Sequence, residues 1–152
     1  MRNFFNIICL VVLSLNFISC EKASVENVES ISYGTSFGMC IGYCVNNLSI
    51  NGEKVTFSKS KNGQTPDTKT CTSPISASDL NAIKGLVDTD KVIKLPATIG
   101  CPDCADGGAE WVSVTAKGKT HKVVFEYGKA PAELAAVVVK LRELKETFKN
   151  CN

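Results

Sequence analysis

The stretch Trp111-Val112-Ser113-Val114-Thr115-Ala116-Lys117-Gly118-Lys119-Thr120-His121-Lys122-Val123-Val124-Phe125-Glu126-Tyr127 sets the fold class. Val112 and Val114 alternate with polar residues, Lys117-Gly118-Lys119 supplies a turn, and His121, Val123, Phe125 and Tyr127 share one face of a returning strand. The pattern predicts a hairpin with one apolar face. Such a face needs cover, and the sequence that follows provides it. From Pro131 to about Lys149, Leu134, Val137, Leu141, Leu144 and Phe148 recur three and four apart, and Val138 widens the stripe. Glu133 near the start and Lys145 with Lys149 near the end suit the dipole of a helix that Pro131 opens.

Upstream of the hairpin lies Gly100 to Trp111, a loop with Cys101, Cys104, Asp103, Asp106, the pair Gly107-Gly108 and the only tryptophan. Pro102 presets the second position of a tight turn and brings the two cysteines within disulfide reach. The same spacing serves a redox dithiol or half of a tetrahedral metal site. The two acids fall short of a calcium loop and read as turn-formers.

The first half follows a similar plan. Ile31 and Tyr33 alternate, a glycine-rich loop from Gly34 to Gly42 carries Cys40, Leu48 and Ile50 alternate, and Asn51-Gly52 turns the chain into Val55 and Phe57. Lys59 to Thr70 reads as a polar loop. A helix then starts at the cap Ser76, with Asp79 three residues on and Ile75 stapled to Leu80; Leu80, Ile83, Leu86 and Val87 form its expected buried face. Asp88 to Leu95 reads as irregular or a single turn closed by Pro96. Each half is thus cysteine loop, hairpin, helix, an architectural pseudo-repeat.

The expected fold is α+β in two layers: a twisted antiparallel sheet of two hairpins with both helices on one face. Its core is Ile31, Tyr33, Leu48, Ile50, Val55, Phe57, Leu80, Ile83, Val112, Val114, Val123, Phe125, Leu134, Leu141 and Phe148. Both cysteine loops precede the first strand of a hairpin, which allows them to meet at one end of the sheet.

Residues 1 to 19 carry a basic start at Arg2, an apolar run from Phe4 to Phe17 shorter than a membrane span, and Ser19 before Cys20. This resembles the signal peptide of bacterial lipoproteins, which implies lipidation of Cys20, export, and attachment to a cell-envelope membrane. Glu21 to Ser30 is polar and acidic, so residues 20–30 read as a flexible tether and residues 31–152 as one domain. Removing residues 1–19 takes away Arg2 alone among the charges, which leaves sixteen basic and fifteen acidic residues. That balance argues against a nucleic-acid partner.

Six cysteines remain beyond Cys20: Cys40, Cys44, Cys71, Cys101, Cys104 and Cys151. An even set in an oxidising compartment favours disulfides, with the pairings open. The alternative is an envelope metal or thiol-redox site built from Cys40, Cys44, Cys101 and Cys104. His121, the only histidine, sits on an apolar strand face and reads as a partly buried, satisfied side chain. There is no nucleophile elbow and no phosphate loop, so the expectation is a non-enzyme without a cofactor. The binding-surface candidates are Phe37, Met39, Tyr43 and Trp111, apolar or aromatic residues on or beside loops; the partner, a protein or small ligand, and the oligomeric state are left open.

Ser36-Phe37-Gly38-Met39-Cys40-Ile41-Gly42-Tyr43 also resembles the opening stretch, Phe-Gly-x-Cys-Pro-x-Tyr, of an uncharacterised family of small bacterial lipoprotein domains. Ile41 stands where that family has proline, and Cys44 is an added cysteine. The resemblance implies an exported α+β domain and no particular activity.

Overall fold

The computed structural model describes residues 28–62 and 67–152. The leader, Cys20 and most of the tether fall outside these residues. The chain forms β1 (Val28–Ser36), β2 (Val45–Asn51), β3 (Lys54–Ser60), β4 (Thr68–Pro74), α1 (Ala77–Lys84), α2 (Thr89–Val92), β5 (Thr98–Ile99), β6 (Ala109–Ala116), β7 (Lys119–Glu126) and α3 (Ala132–Glu146). A single 3-10 turn, Cys104–Asp106, precedes β6. Among the described residues the architecture is mixed α+β: one seven-stranded sheet in the order β4-β3-β2-β1-β6-β7-β5, with three helices. All neighbours are antiparallel except β5, which runs parallel to β7.

The alternation read from the sequence places the core. Ile31 and Tyr33 of β1, Leu48 and Ile50 of β2, Val55 and Phe57 of β3, Val112 and Val114 of β6, and Val123 and Phe125 of β7 share one face. They form one cluster with Leu80, Ile83, Leu134, Val137, Val138 and Leu141, so the helices cover that face. All fifteen expected core residues are buried. The start of α1 is also as expected: Ser76 Oγ accepts from the Asp79 N–H at 3.1 Å and donates to Asp79 Oδ2 at 2.6 Å, with Ile75 and Leu80 buried beneath. Asp88 caps the four-residue α2 through the Lys91 N–H.

The expected pair of hairpins is only part of the sheet. β1 is a full nine-residue strand at its centre, and it begins at Val28, inside the segment read as tether. The loop expected over Lys59 to Thr70 ends at β4, an edge strand whose residues are exposed except for the half-buried Cys71. A strand solvated on both sides has no apolar alternation to betray it; its threonines carry the β preference instead. β5 is two residues long and pairs at the opposite edge, so the architectural repeat is inexact: each cysteine loop links a strand to a hairpin, but β1 is central and β5 marginal. Leu86 is exposed rather than part of the α1 face, because α1 ends at Lys84 and Gly85 and helical periodicity no longer applies beyond it.

Among the described residues three cysteine pairs lie at disulfide distance: Cys40–Cys44, Cys71–Cys151 and Cys101–Cys104, with Cα separations of 5.7, 5.8 and 5.5 Å.

Candidate functional site

β1 fixes the polarity of the sheet. Its first residue, Val28, pairs with Ala116 beside the turn at Lys117-Gly118, and Ser30 pairs with Asn51 beside the turn at Gly52-Glu53. Its last, Ser36, pairs with Val45 and Ala109, where both cysteine loops open. The chain therefore enters the sheet at one end and presents its cysteine loops at the other, a strand length of about 30 Å away.

At that far end the two loops touch. The Gly38 N–H donates to Asp103 Oδ1 at 3.2 Å. Asp103 is held for this contact by a type II turn: Pro102 takes the second position, Asp103 has φ 63°, and the Cys104 N–H closes the turn on Cys101 O at 3.1 Å. The Cys101 N–H also donates to Glu126 Oε1, which ties the loop to the end of β7. Phe37 lies over Gly108, where an added Cβ would stand 2.3 Å from its ring, and meets Tyr127 edge-on at 4.9 Å between centroids. Asn62 joins from the β3–β4 connection, its amide donating to Phe37 O at 2.9 Å and Gly38 O at 3.1 Å. Four segments distant in sequence thus make one tip.

Gly108 has φ +81° as well as the close ring above it, so Gly108→Ala is expected to cost about 2 kcal/mol. Gly52→Ala, at φ +55° in open space, is the control and is expected to cost about 1 kcal/mol. Urea denaturation of both variants checks this; equal losses would mean that Phe37 does not depend on Gly108.

The tip carries exposed apolar side chains on and beside a short disulfide-closed ring. Ile41, fully exposed, lies between Cys40 and Cys44, and Met39, 80% exposed, immediately precedes the ring. Tyr43 is half-buried, with Lys59 Nζ 4.9 Å and Lys61 Nζ 5.7 Å from its ring centroid, and its hydroxyl donates to Asp67 Oδ2. Lys61 and the Tyr43 hydroxyl hold the Asp67 carboxyl below its ordinary range. Phe37, Met39 and Tyr43 thus lie on the β1–β2 connection at this end of the sheet. Trp111 is not with them: it stands on the sheet face opposite the helices, above Gly34, because strand alternation sends its neighbours Glu110 and Val112 to the core.

The four-cysteine metal set does not assemble. Cys40 pairs with Cys44 and Cys101 with Cys104, each within its own loop, and among the described residues no group of three or more His, Cys, Asp or Glu is placed to hold a metal ion. His121 is half-buried, with Nε2 3.0 Å from Leu95 O. It borders a pocket of about 430 Å³ at the chain-entry end, lined also by Val92, Ile93 and Val114.

Beneath the tip is a polar cluster that the sequence reading missed. Glu110 is fully buried at the start of β6; it accepts from Tyr33 Oη at 2.5 Å, from Arg142 Nε at 2.8 Å and Nη2 at 2.5 Å, and from the Gly128 N–H at 3.1 Å. Burial alone would raise the Glu110 pKa, but Arg142, Tyr33 and Gly128 outweigh it and hold the carboxyl below its ordinary range. Burial pushes the Tyr33 phenol up, and its bond to Glu110 adds to the rise. Arg142 Nε and Nη2 grip both carboxylate oxygens, a fork that a lysine cannot make. Two signals were present. Glu110 has the strand parity of Val112 and Val114, and Arg142 is the only arginine after Arg2. The cluster joins β1, β6, the β7–α3 turn and α3 below the cysteine loops, and every member is satisfied.

No known protein family matches this chain, and no curated protein is similar to it.

Proposed function

We propose that the chain is an exported lipoprotein of the bacterial cell envelope, anchored through Cys20, and that its domain is a non-catalytic binding module stapled by disulfides. The observation that carries this reading is the polarity of β1. The tether enters at Val28, and the loops with exposed Met39 and Ile41 lie at the other end of the same strand. An anchor at Cys20 would hold that tip away from the membrane.

The tip suits recognition on energetic grounds. Met39 and Ile41 expose apolar surface without a helix or strand partner, and the Cys40–Cys44 ring, the Asp103 contact and Asn62 limit the conformations they lose on binding. Tyr43 and its two lysines add a polar, cationic border of the kind that surrounds an apolar anchor. The partner is a protein or small ligand that buries the Met39–Ile41 projection.

Photo-crosslinking in intact bacterial cells tests the reading. A photoreactive residue at Ile41 is expected to give a discrete adduct that the same residue at Lys119, at the tether end, does not give. No adduct at Ile41, or the same adduct at both positions, would overturn it. In the same cells Cys20→Ala is expected to move the protein from the membrane fraction to the soluble one; retention in the membrane would remove the anchor.

A further inference from the structure

The helices cover one face of the sheet, and the other face carries a pattern of its own. Pairing registers align Thr72, Thr56, Ser49, Ser32, Ser113 and Lys122 as one row across β4, β3, β2, β1, β6 and β7. The next row toward the tip holds Asn47, Gly34 and Trp111 on β2, β1 and β6. Strand alternation puts these positions opposite the core. At about 4.8 Å per strand the hydroxyl row runs about 24 Å.

Trp111 is placed on this face by Gly34. An added Cβ at residue 34 would stand 2.1 Å from the indole ring, so only glycine lets the ring lie over the backbone of β1. Lys122 Nζ is 4.5 Å from the ring centroid. Neither row contains a carboxylate or a branched aliphatic side chain, apart from Val124 at the edge of the second.

We propose that this face, opposite the helices, binds a glycan strand laid across the sheet. Three features fit that occupant. Serine and threonine hydroxyls each donate and accept, as sugar hydroxyls do, and a row of them at strand spacing offers a repeating array to a repeating ligand. The Trp111 indole offers an apolar surface on which the C–H face of a pyranose ring can stack when the flexible Lys122 side chain, now over the ring, swings to a sugar oxygen. The charge on the two rows is Lys122 alone, which suits a neutral or anionic polysaccharide and disfavours a basic peptide, while the scarcity of aliphatic side chains disfavours a protein interface with an apolar centre. This face is separate from the tip, so each reading stands or falls without the other.

Trp111 is the single tryptophan and reports on its own site. The full-length chain, purified in detergent, is titrated with a neutral hexasaccharide of β-1,4-linked N-acetylglucosamine, with cellohexaose, with an anionic hexagalacturonate, and with free glucose. The expected result is a saturable change in Trp111 emission with at least one hexasaccharide, at least about tenfold weaker with glucose. Binding is also expected to weaken about tenfold in the double variant Ser49→Glu, Thr56→Glu, which keeps the tryptophan and puts carboxylates into the hydroxyl row. Circular dichroism and Tm confirm that the variant is folded. Trp111→Ala, followed by calorimetry, is expected to lose binding to a similar degree. No saturable change with any hexasaccharide, or equal affinity in the wild type and the folded double variant, would overturn the proposal.

Discussion

Replacing Cys71 and Cys151 together by alanine is expected to cost about 4 kcal/mol, the largest loss among the three bridges. The pair closes 80 residues of sequence, whereas Cys40–Cys44 and Cys101–Cys104 close four and three. Loop-closure entropy grows with the logarithm of that span, which gives the short bridges about 2 kcal/mol each. The long bridge also has packing to protect. It fastens the exposed edge strand β4 to the chain beyond α3, next to Phe57 and Phe148, whose rings stack at 5.6 Å over the edge of the core. Without it β4 loses its covalent tie to the chain beyond α3, and the edge is freer to fray. Urea denaturation of the double variant against Cys40→Ala, Cys44→Ala checks the order. Equal losses would mean that the Cys71–Cys151 span is not what holds β4.

Arg142→Met is expected to cost about 3 kcal/mol at neutral pH, because it leaves the fully buried Glu110 carboxylate with the Tyr33 hydroxyl and the Gly128 N–H but no positive charge. The companion change Glu110→Gln leaves a half-exposed guanidinium that water can reach, and is expected to cost less. The pH dependence follows from the direction of the Glu110 shift. In the wild type the folded-state pKa is depressed, so the stability it contributes is full above the unfolded value of about 4.3 and is lost as pH falls through the lower folded value. In Arg142→Met, burial dominates and the folded pKa rises above the unfolded one, so protonation favours folding. The gap between the two proteins is therefore expected to narrow as pH falls from 7 to 4. A gap independent of pH would assign the loss to packing of the arginine stem rather than to its charge.

The sequence made the covered face of the sheet readable because burial there is one-sided. Every residue of the expected core lies on that face, on a helix against it or, for Phe148, in the turn just beyond α3, and Ser76 with Asp79 marks the start of α1. β4 left no such trace, since the only half-buried member of Thr68–Pro74 is Cys71, and a lone cysteine gives no period. The meeting of the two cysteine loops was legible from their order before each hairpin; what joins them was not, because Asp103 to Gly38, Asn62 to Phe37 and Phe37 to Gly108 are contacts between distant segments. In sequence Trp111 reads as a loop residue because it follows Gly107-Gly108-Ala109-Glu110 directly. Its place was decided instead by strand parity, which sends Glu110 inward to Arg142 and Trp111 outward over Gly34.

The rigid two-loop tip rests on each cysteine loop being closed upon itself, and peptide mapping of the exported protein under non-reducing conditions tests this most directly. The expected map holds three linkages, Cys40 to Cys44, Cys71 to Cys151 and Cys101 to Cys104, with no free thiol among the six. A link between the two loops, or four free thiols at Cys40, Cys44, Cys101 and Cys104 released on denaturation together with a metal ion, would contradict the account and restore the metal site in its place.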